Sequence, residues 1–163
     1  MPPKAQLAYT PHIMRTLLAT LVTLLLLTPS AASAATAQDA EAFLHDWFAM
    51  LDRAEKVETL LPHIAEKGFE MDVLGRPVRS RDEFKGWYAG MLQSFSRQSH
   101  EIQEVKVTPG EAGSFRLNFR LRWQATAAQG QQYDQVYDEV WLLKSEDGRW
   151  VIYEYRILPP SGH

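Results

Sequence analysis

The residues with the most chemistry to offer lie on two stretches near the C-terminus, Tyr133 to Lys144 and Trp150 to Leu158, both of which read as strands. Side chains alternate between the two faces of a strand, so pairing can be worked out from parity. A hairpin centred near Ala128 sets Trp123 opposite Tyr133, Leu121 opposite Gln135 and Phe119 opposite Tyr137. The other face then carries Arg122 against Asp134, an opposite-charge pair that supports this register. Continuing through the next turn puts Leu143 beside Trp150, Trp141 beside Ile152 and Glu139 beside Glu154. The inward face thereby gathers Tyr137, Glu139, Glu154 and Arg156. Carboxylates on directly opposed positions lie about 5 Å apart at Cβ. Like charge that close raises at least one pKa, while Arg156 nearby holds the other carboxylate ionised. A neutral acid beside an ionised base is the arrangement used in proton transfer. The competing reading is a structural ion-pair cluster at a wet rim, and a slip of one residue turns the whole set outward.

His100 opens another strand and is a further candidate, either as a base or hydrogen-bond partner at the pocket mouth or as an ordinary strand-end residue bonded to backbone or solvent. Asp72 sits beside a Gly turn, where it either faces a pocket or caps the turn. His45 and His63, taken with Asp46 or Asp72, give no spacing like H-E-x-x-H, so no metal site is expected. The chain has no Cys, no Gly-rich phosphate loop and no G-x-S-x-G elbow. Neither covalent catalysis nor a cofactor is expected.

The elements that must position these groups follow from periodicity. From Asp39 to about Arg53, Phe43, Trp47, Met50 and Leu51 recur at helical spacing, widened by Leu44 and Phe48. Thr59 to Lys67 reads as a shorter helix with Pro62 in its first turn and Gly68 at its end. Phe69 to Leu74 is a short strand and Gly75-Arg76-Pro77 a turn. Ser80 to Glu83 fits a capping box, and Phe84, Trp87, Tyr88, Met91, Leu92 and Phe95 follow on one helical face. Glu101 to Thr108, Phe115 to Trp123 and the two stretches above are strands, the last two joined at Ser145-Glu146-Asp147-Gly148. Three helices therefore precede a run of antiparallel strands, an α+β chain.

This order resembles the nuclear transport factor 2-like superfamily, which includes SnoaL-like and ketosteroid-isomerase-like proteins. The matching residues are Gly75-Arg76-Pro77-Val78-Arg79-Ser80-Arg81-Asp82-Glu83-Phe84, Ser99-His100-Glu101-Ile102 and Glu146-Asp147-Gly148-Arg149-Trp150-Val151-Ile152, and the likeness spans nearly all of Asp39 to Leu158. The resemblance implies a cystatin-like α+β roll, a cone in which a curved antiparallel sheet wraps about three helices and leaves a pocket open at one end. It implies isomerases, dehydratases, hydrolases and non-catalytic binding domains alike, and fold does not choose among them. A carboxylate and an Arg two apart on one strand, with a second carboxylate alongside, looks like the water-activating group of the superfamily's epoxide hydrolases, with Glu here where that pattern has Asp.

The same register points Val136, Val140, Leu142, Val151, Tyr153, Tyr155 and Ile157 away from the pocket. An open sheet face is normally polar, so this patch reads as a pairing surface for a homodimer. Pro159 to His163 is too short to cover it.

At the N-terminus, Leu17 to Leu27 is an apolar run behind Arg15, shorter than the roughly 20 residues a membrane span needs. Pro29 and the small residues to Ala35 follow, with an A-x-A site at Ala32-Ser33-Ala34. A cleavable signal peptide over residues 1–34 is expected, in which Met14-Arg15 offers a second start for translation, leaving a single domain over 35–163 in the periplasm or outside the cell. Losing Lys4 and Arg15 takes the formal charge from -3 to -5. A mildly acidic domain without a basic run speaks against nucleic acid or anionic lipid as partner. Three functions stay open. The first and narrowly preferred is a non-catalytic domain binding a small, largely apolar molecule among Trp47, Trp87, Phe119, Trp123 and Trp141. The second is a cofactor-independent isomerase, dehydratase or hydrolase using Glu139, Glu154, Arg156, Tyr137 and His100. The third is a dimeric structural or assembly module.

Overall fold

Thr36 opens the first helix, α1 (Ala37–Asp52), two residues before the apolar periodicity becomes visible. Thr36 Oγ1 accepts from the Asp39 N–H at 3.2 Å, and Asp39 Oδ2 accepts from the Thr36 N–H at 3.0 Å, a reciprocal cap. In this computed structural model the described residues are 35–158, so the expected signal segment 1–34, its start at Met14 and the tail 159–163 lie outside them. No helix among the described residues is long and apolar enough to cross a membrane. The stripe Phe43, Leu44, Trp47, Phe48 and Leu51 is buried, as its spacing predicts.

The second helix is much shorter than expected: one turn, α2 (Val57–Leu60), then a 3₁₀ turn over Leu61–His63. Ile64 leaves the helix because tertiary partners take its backbone. It bridges to Ile152, and Arg81 donates to its carbonyl from Nε at 2.9 Å and Nη2 at 2.7 Å. A small hairpin follows, β1 (Glu70–Val73) and β2 (Arg76–Val78), where a simple turn was expected. Asp72 Oδ1 accepts from the Gly75 N–H at 2.5 Å, the turn-capping role.

Helix α3 (Arg81–Ser94) is capped by Ser80 Oγ, which accepts from the Glu83 N–H at 3.1 Å. Glu83 accepts from the Arg79 N–H at 2.6 Å, one residue before the position the capping box assigns it. The helix stops short of Phe95, the first residue of β3 (Phe95–Pro109). This strand starts six residues before the expected Glu101, because β4 (Ser114–Ala127) is long enough for Ala127 to pair with Phe95. Strands β5 (Gln132–Glu146) and β6 (Arg149–Leu158) complete a curved six-stranded sheet of order β2-β1-β6-β5-β4-β3. Between β5 and β6 the turn is Asp147-Gly148, both with positive φ, as a two-residue type I′ hairpin requires. The chain is α+β, a curved sheet carrying three helices.

Two registers differ from the sequence expectation, with unequal consequences. Between β4 and β5 the pairing is displaced by two residues, Leu121 opposite Tyr137 and Phe119 opposite Glu139. An even displacement keeps every side chain on its expected face. Arg122 still meets Asp134, now diagonally, with Nη2 to Oδ2 at 2.7 Å.

Between β5 and β6 the displacement is odd. Leu143 pairs with Ile152 but Leu142 pairs with Glu154, so Tyr153 is an extra residue, a β-bulge. Beyond it the faces exchange: Tyr155 lies opposite Trp141 and Ile157 opposite Glu139. Glu154 and Arg156 therefore point outward, correcting the expected inward acidic pair. Glu154 Oε2 lies 3.6 Å from Arg116 and 3.8 Å from Arg156, whose Nη2 is 3.9 Å from Glu70. The physical reason is desolvation. Two inward charges cost far more than a bulge, whereas the bulge buries Tyr155 against Trp141, ring centroids 4.5 Å apart.

The same bulge corrects the expected pairing surface. Tyr155 and Val151 are buried and Ile157 turns into the cavity described below, which leaves Val136, Val140, Leu142 and Tyr153 of the named residues. They share the outer face with Arg116, Arg120, Glu154 and Arg156. That face is smaller and more charged than the strand parity implied.

Candidate functional site

The aromatic residues expected to line one pocket divide into two groups. Trp47, Trp141 and Phe119 are core: Trp47 meets Trp141 edge-on at 6.2 Å, and Phe119 meets Trp141 at 5.5 Å. Of the five, Trp87 and Trp123 line the cavity described below, so the expected five-aromatic pocket is corrected to two of its members. The other three are the packed base on which the site stands. His63 belongs to that base too, its Nδ1 bonded to the Trp150 carbonyl at 2.8 Å and its ring 5.1 Å from Phe43.

The cavity lies between the C-terminal end of α1, helix α3 and the inner face of the sheet, with a volume of about 260 Å³. Leu51, Trp87, Met91, Phe95, Leu121 and Trp123 make most of its wall. His100, Tyr137, Glu139 and Tyr155 bring the polar atoms. Of the expected catalytic set, the fold brings together His100, Tyr137 and Glu139 and leaves out Glu154 and Arg156.

Asp52, which sequence reasoning missed, completes the site. It is the last residue of α1, where the negative end of the helix dipole disfavours a carboxylate. His100 offsets this with two hydrogen bonds. Its backbone N–H donates to Asp52 Oδ2 at 3.2 Å, and ring Nδ1 lies 2.6 Å from Oδ1. An ionised carboxylate only accepts, so Nδ1 carries the proton, and in the neutral ring the lone pair is on Nε2. The His100 side chain is 5% exposed and packs 4.8 Å from the Phe48 ring. An acid at the C-terminal end of a helix is the signal that points to Asp52 in the sequence.

Glu139 is the other unusual group. It is 1% exposed, with Oε2 accepting from Trp141 Nε1 at 3.1 Å and Oε1 buried without a partner. Burial pushes its pKa up to about 8, against the smaller opposing effect of the Trp141 bond. At neutral pH the carboxyl is therefore predominantly protonated. Burial also raises the Tyr137 and Tyr155 hydroxyls, and each feels the Glu139 charge in addition. The His100 imidazole and a neutral acid thus line one largely apolar cavity. Among the described residues, no three His, Asp or Glu side chains gather in a way that could hold a metal ion.

No family model and no curated protein sequence matches the chain. Solved structures do. A nuclear transport factor 2-like superfamily protein from Salmonella enterica superposes with a TM-score of 0.69 at 14% identity, covering 77% of this chain and 92% of that one. The chain has the nuclear transport factor 2-like fold. A candidate scytalone dehydratase from Novosphingobium aromaticivorans is similar to it with a TM-score of 0.68 at 15% identity, covering 74% of this chain and 80% of the other. A type 2 hexachlorocyclohexane dehydrochlorinase gives 0.65 at 10% identity, covering 75% and 83%. Structures of this fold thus carry the names dehydratase and dehydrochlorinase, and in this chain His100 and Glu139 line one cavity.

Proposed function

We propose that the protein is a cofactor-independent enzyme that moves a proton on a small, largely apolar substrate, with His100 as base, Asp52 as its positioning residue and neutral Glu139 as acid. The observation that carries this reading is the His100–Asp52 pair at 2.6 Å opening onto the same cavity as a buried carboxyl with one unpartnered oxygen. His100 Nε2 takes a proton from a substrate carbon next to a carbonyl, and Glu139 donates a hydrogen bond to the oxygen on which charge develops. Returning the proton to a different carbon gives an isomer. Loss of a leaving group from the adjacent carbon gives an elimination product. The dehydratase and dehydrochlorinase names of two structural neighbours are those of eliminations, which agrees with this chemistry.

The second reading is ligand binding without turnover, favoured by the apolar wall of Leu51, Trp87, Met91 and Leu121. The two part in one experiment. Neutral cyclic ketones and β-hydroxy ketones are incubated with the protein in deuterated water and followed by proton NMR. Deuterium uptake at the α-carbon, or loss of water, above the buffer rate is expected. Ketones that bind without exchange would leave only the binding reading.

We propose, too, that the protein works outside the cytoplasm. Support comes from the Leu17 to Leu27 run and the Ala32-Ser33-Ala34 site behind it. N-terminal sequencing of the protein recovered from the host envelope or medium should begin at Ala35. A chain recovered from the cytoplasm with residues 1–34 attached would contradict export.

A further inference from the structure

Two turns of one type close hairpins among the described residues, and one of them carries a residue unsuited to it. A two-residue type I′ turn needs positive φ at both positions, which favours Asn, Asp or Gly first and Gly second. At the β5–β6 turn Asp147 and Gly148 meet this requirement, with φ of 50° and 74°. At the β1–β2 turn, between the paired Val73 and Arg76, the same conformation falls to Leu74 and Gly75, at 53° and 84°. The Leu Cβ crowds the backbone there, an unfavourable conformation for a large apolar residue. Burial does not compensate it, since Leu74 remains 49% exposed. Its position is what distinguishes it. Leu74 lines the cavity of about 260 Å³ and also an outer hollow of about 390 Å³, which it shares with Asp72, Gly75, Arg156, Ile157 and Leu158. Leu74 and Ile157 are the residues common to both.

We infer that Leu74 is a gate residue: its side chain stands between the outer hollow and the cavity and sets how fast molecules pass, and the unfavourable turn holds it there. The inference rests on the cavity being the substrate site. Ile157 is the fixed side of the passage, because β6 lies between β1 and β5 and Ile157 pairs with Val73 on one side and Glu139 on the other. Leu74 is the side that can swing. It sits at the tip of a hairpin whose outer strand, β2, has three residues, forms the edge of the sheet and pairs with β1. The gate also divides two environments. Outside it are the exposed Arg156 and Asp72, whose Oδ1 ties the turn to the Gly75 N–H. Within, no Lys or Arg lines the wall. A closed Leu74 thus keeps bulk water and charge from the apolar side.

Leu74→Asn tests it, because Asn suits positive φ and removes the apolar branch. Acetophenone, a small neutral ketone carrying ¹³C in its methyl group, is added to the protein and followed by NMR relaxation dispersion at several protein concentrations, giving association and dissociation rates separately. In Leu74→Asn both rates should rise about tenfold while Kd changes by less than about threefold, the signature of a lowered barrier. The melting temperature should also rise, by about 2 to 5 °C, as the strained turn is relieved. Asp147→Leu puts the same residue type in the matching turn away from the cavity, so it should lower the melting temperature and leave both rates unchanged. Leu74→Met retains an apolar branch and should exchange acetophenone within about threefold of wild type. Rates in Leu74→Asn equal to those of wild type would overturn the gate. So would faster dissociation alone with affinity weakened in step, which makes Leu74 an ordinary wall residue. The indole N–H resonances of Trp87 and Trp123 separate this failure from that of the cavity reading. If acetophenone moves them but the rates do not change in Leu74→Asn, the gate falls and the cavity reading stands. If acetophenone moves them in neither protein, both fall.

Discussion

His100→Gln is expected to lower the rate of ketone deuteration by 10² to 10⁴-fold, the usual contribution of a positioned general base. Gln preserves much of the ring's bulk beside Phe48 and can still donate to Asp52, so the fold should survive and a loss of rate reports the missing Nε2 lone pair. Asp52→Asn acts indirectly. An amide can both donate and accept, so it no longer fixes the proton on Nδ1, and kcat should fall while KM holds. A purely structural Asp52 would instead show lost stability with kcat unchanged in the folded fraction. The measurement is solvent-deuterium uptake by wild type and both variants on the same ketone. Equal rates in wild type and His100→Gln would remove the imidazole from the mechanism.

The second large effect concerns stability. In the folded protein Glu139 keeps its proton up to about pH 8, whereas its ordinary value is 4.5. Between those limits the folded state binds a proton that the unfolded chain has released. Stability therefore falls as pH rises through that window. At about 1.4 kcal/mol per pH unit the loss reaches on the order of 5 kcal/mol. Glu139→Gln has no proton to lose and should abolish this slope. Urea unfolding at pH 5, 7 and 9 checks it: the two proteins should lie close together at pH 5, and the variant should be the more stable at pH 9. Parallel pH dependences would mean that Glu139 is solvated or paired with a cation. The natural carboxyl thus costs stability at neutral pH, which fits a group retained for what it does in the cavity.

Strand parity and its limits decide how much of this was visible in the sequence. Phe115, Leu117, Phe119 and Leu121 alternate cleanly, so the inner face of β4 could be read, and a two-residue displacement against β5 did no harm. Glu139 and Tyr137 were therefore placed inward correctly. β6 could not be read in the same way. Its sequence, Trp150-Val151-Ile152-Tyr153-Glu154-Tyr155-Arg156-Ile157, has large apolar residues at both parities, so period two fits either face. Choosing between them takes the bulge at Tyr153, which answers to Trp141 on the neighbouring strand and not to any local pattern. Trp47 and Trp141 looked like pocket aromatics because aromatic content was legible, but whether a ring packs beneath a cavity or beside it depends on the height of each helix along the sheet. Asp52 and His100 are 48 residues apart in sequence, and only the docking of α1 on β3 brings them together.

The most direct test is the protonation state of one ring. Long-range ¹H–¹⁵N NMR of the protein labelled at its histidines should find His100 as the Nδ1–H tautomer. Its unprotonated Nε2 resonance should move when acetophenone fills the cavity. An Nε2–H tautomer, or an Nε2 signal indifferent to acetophenone while the Trp87 and Trp123 indoles respond, would contradict His100 as the base.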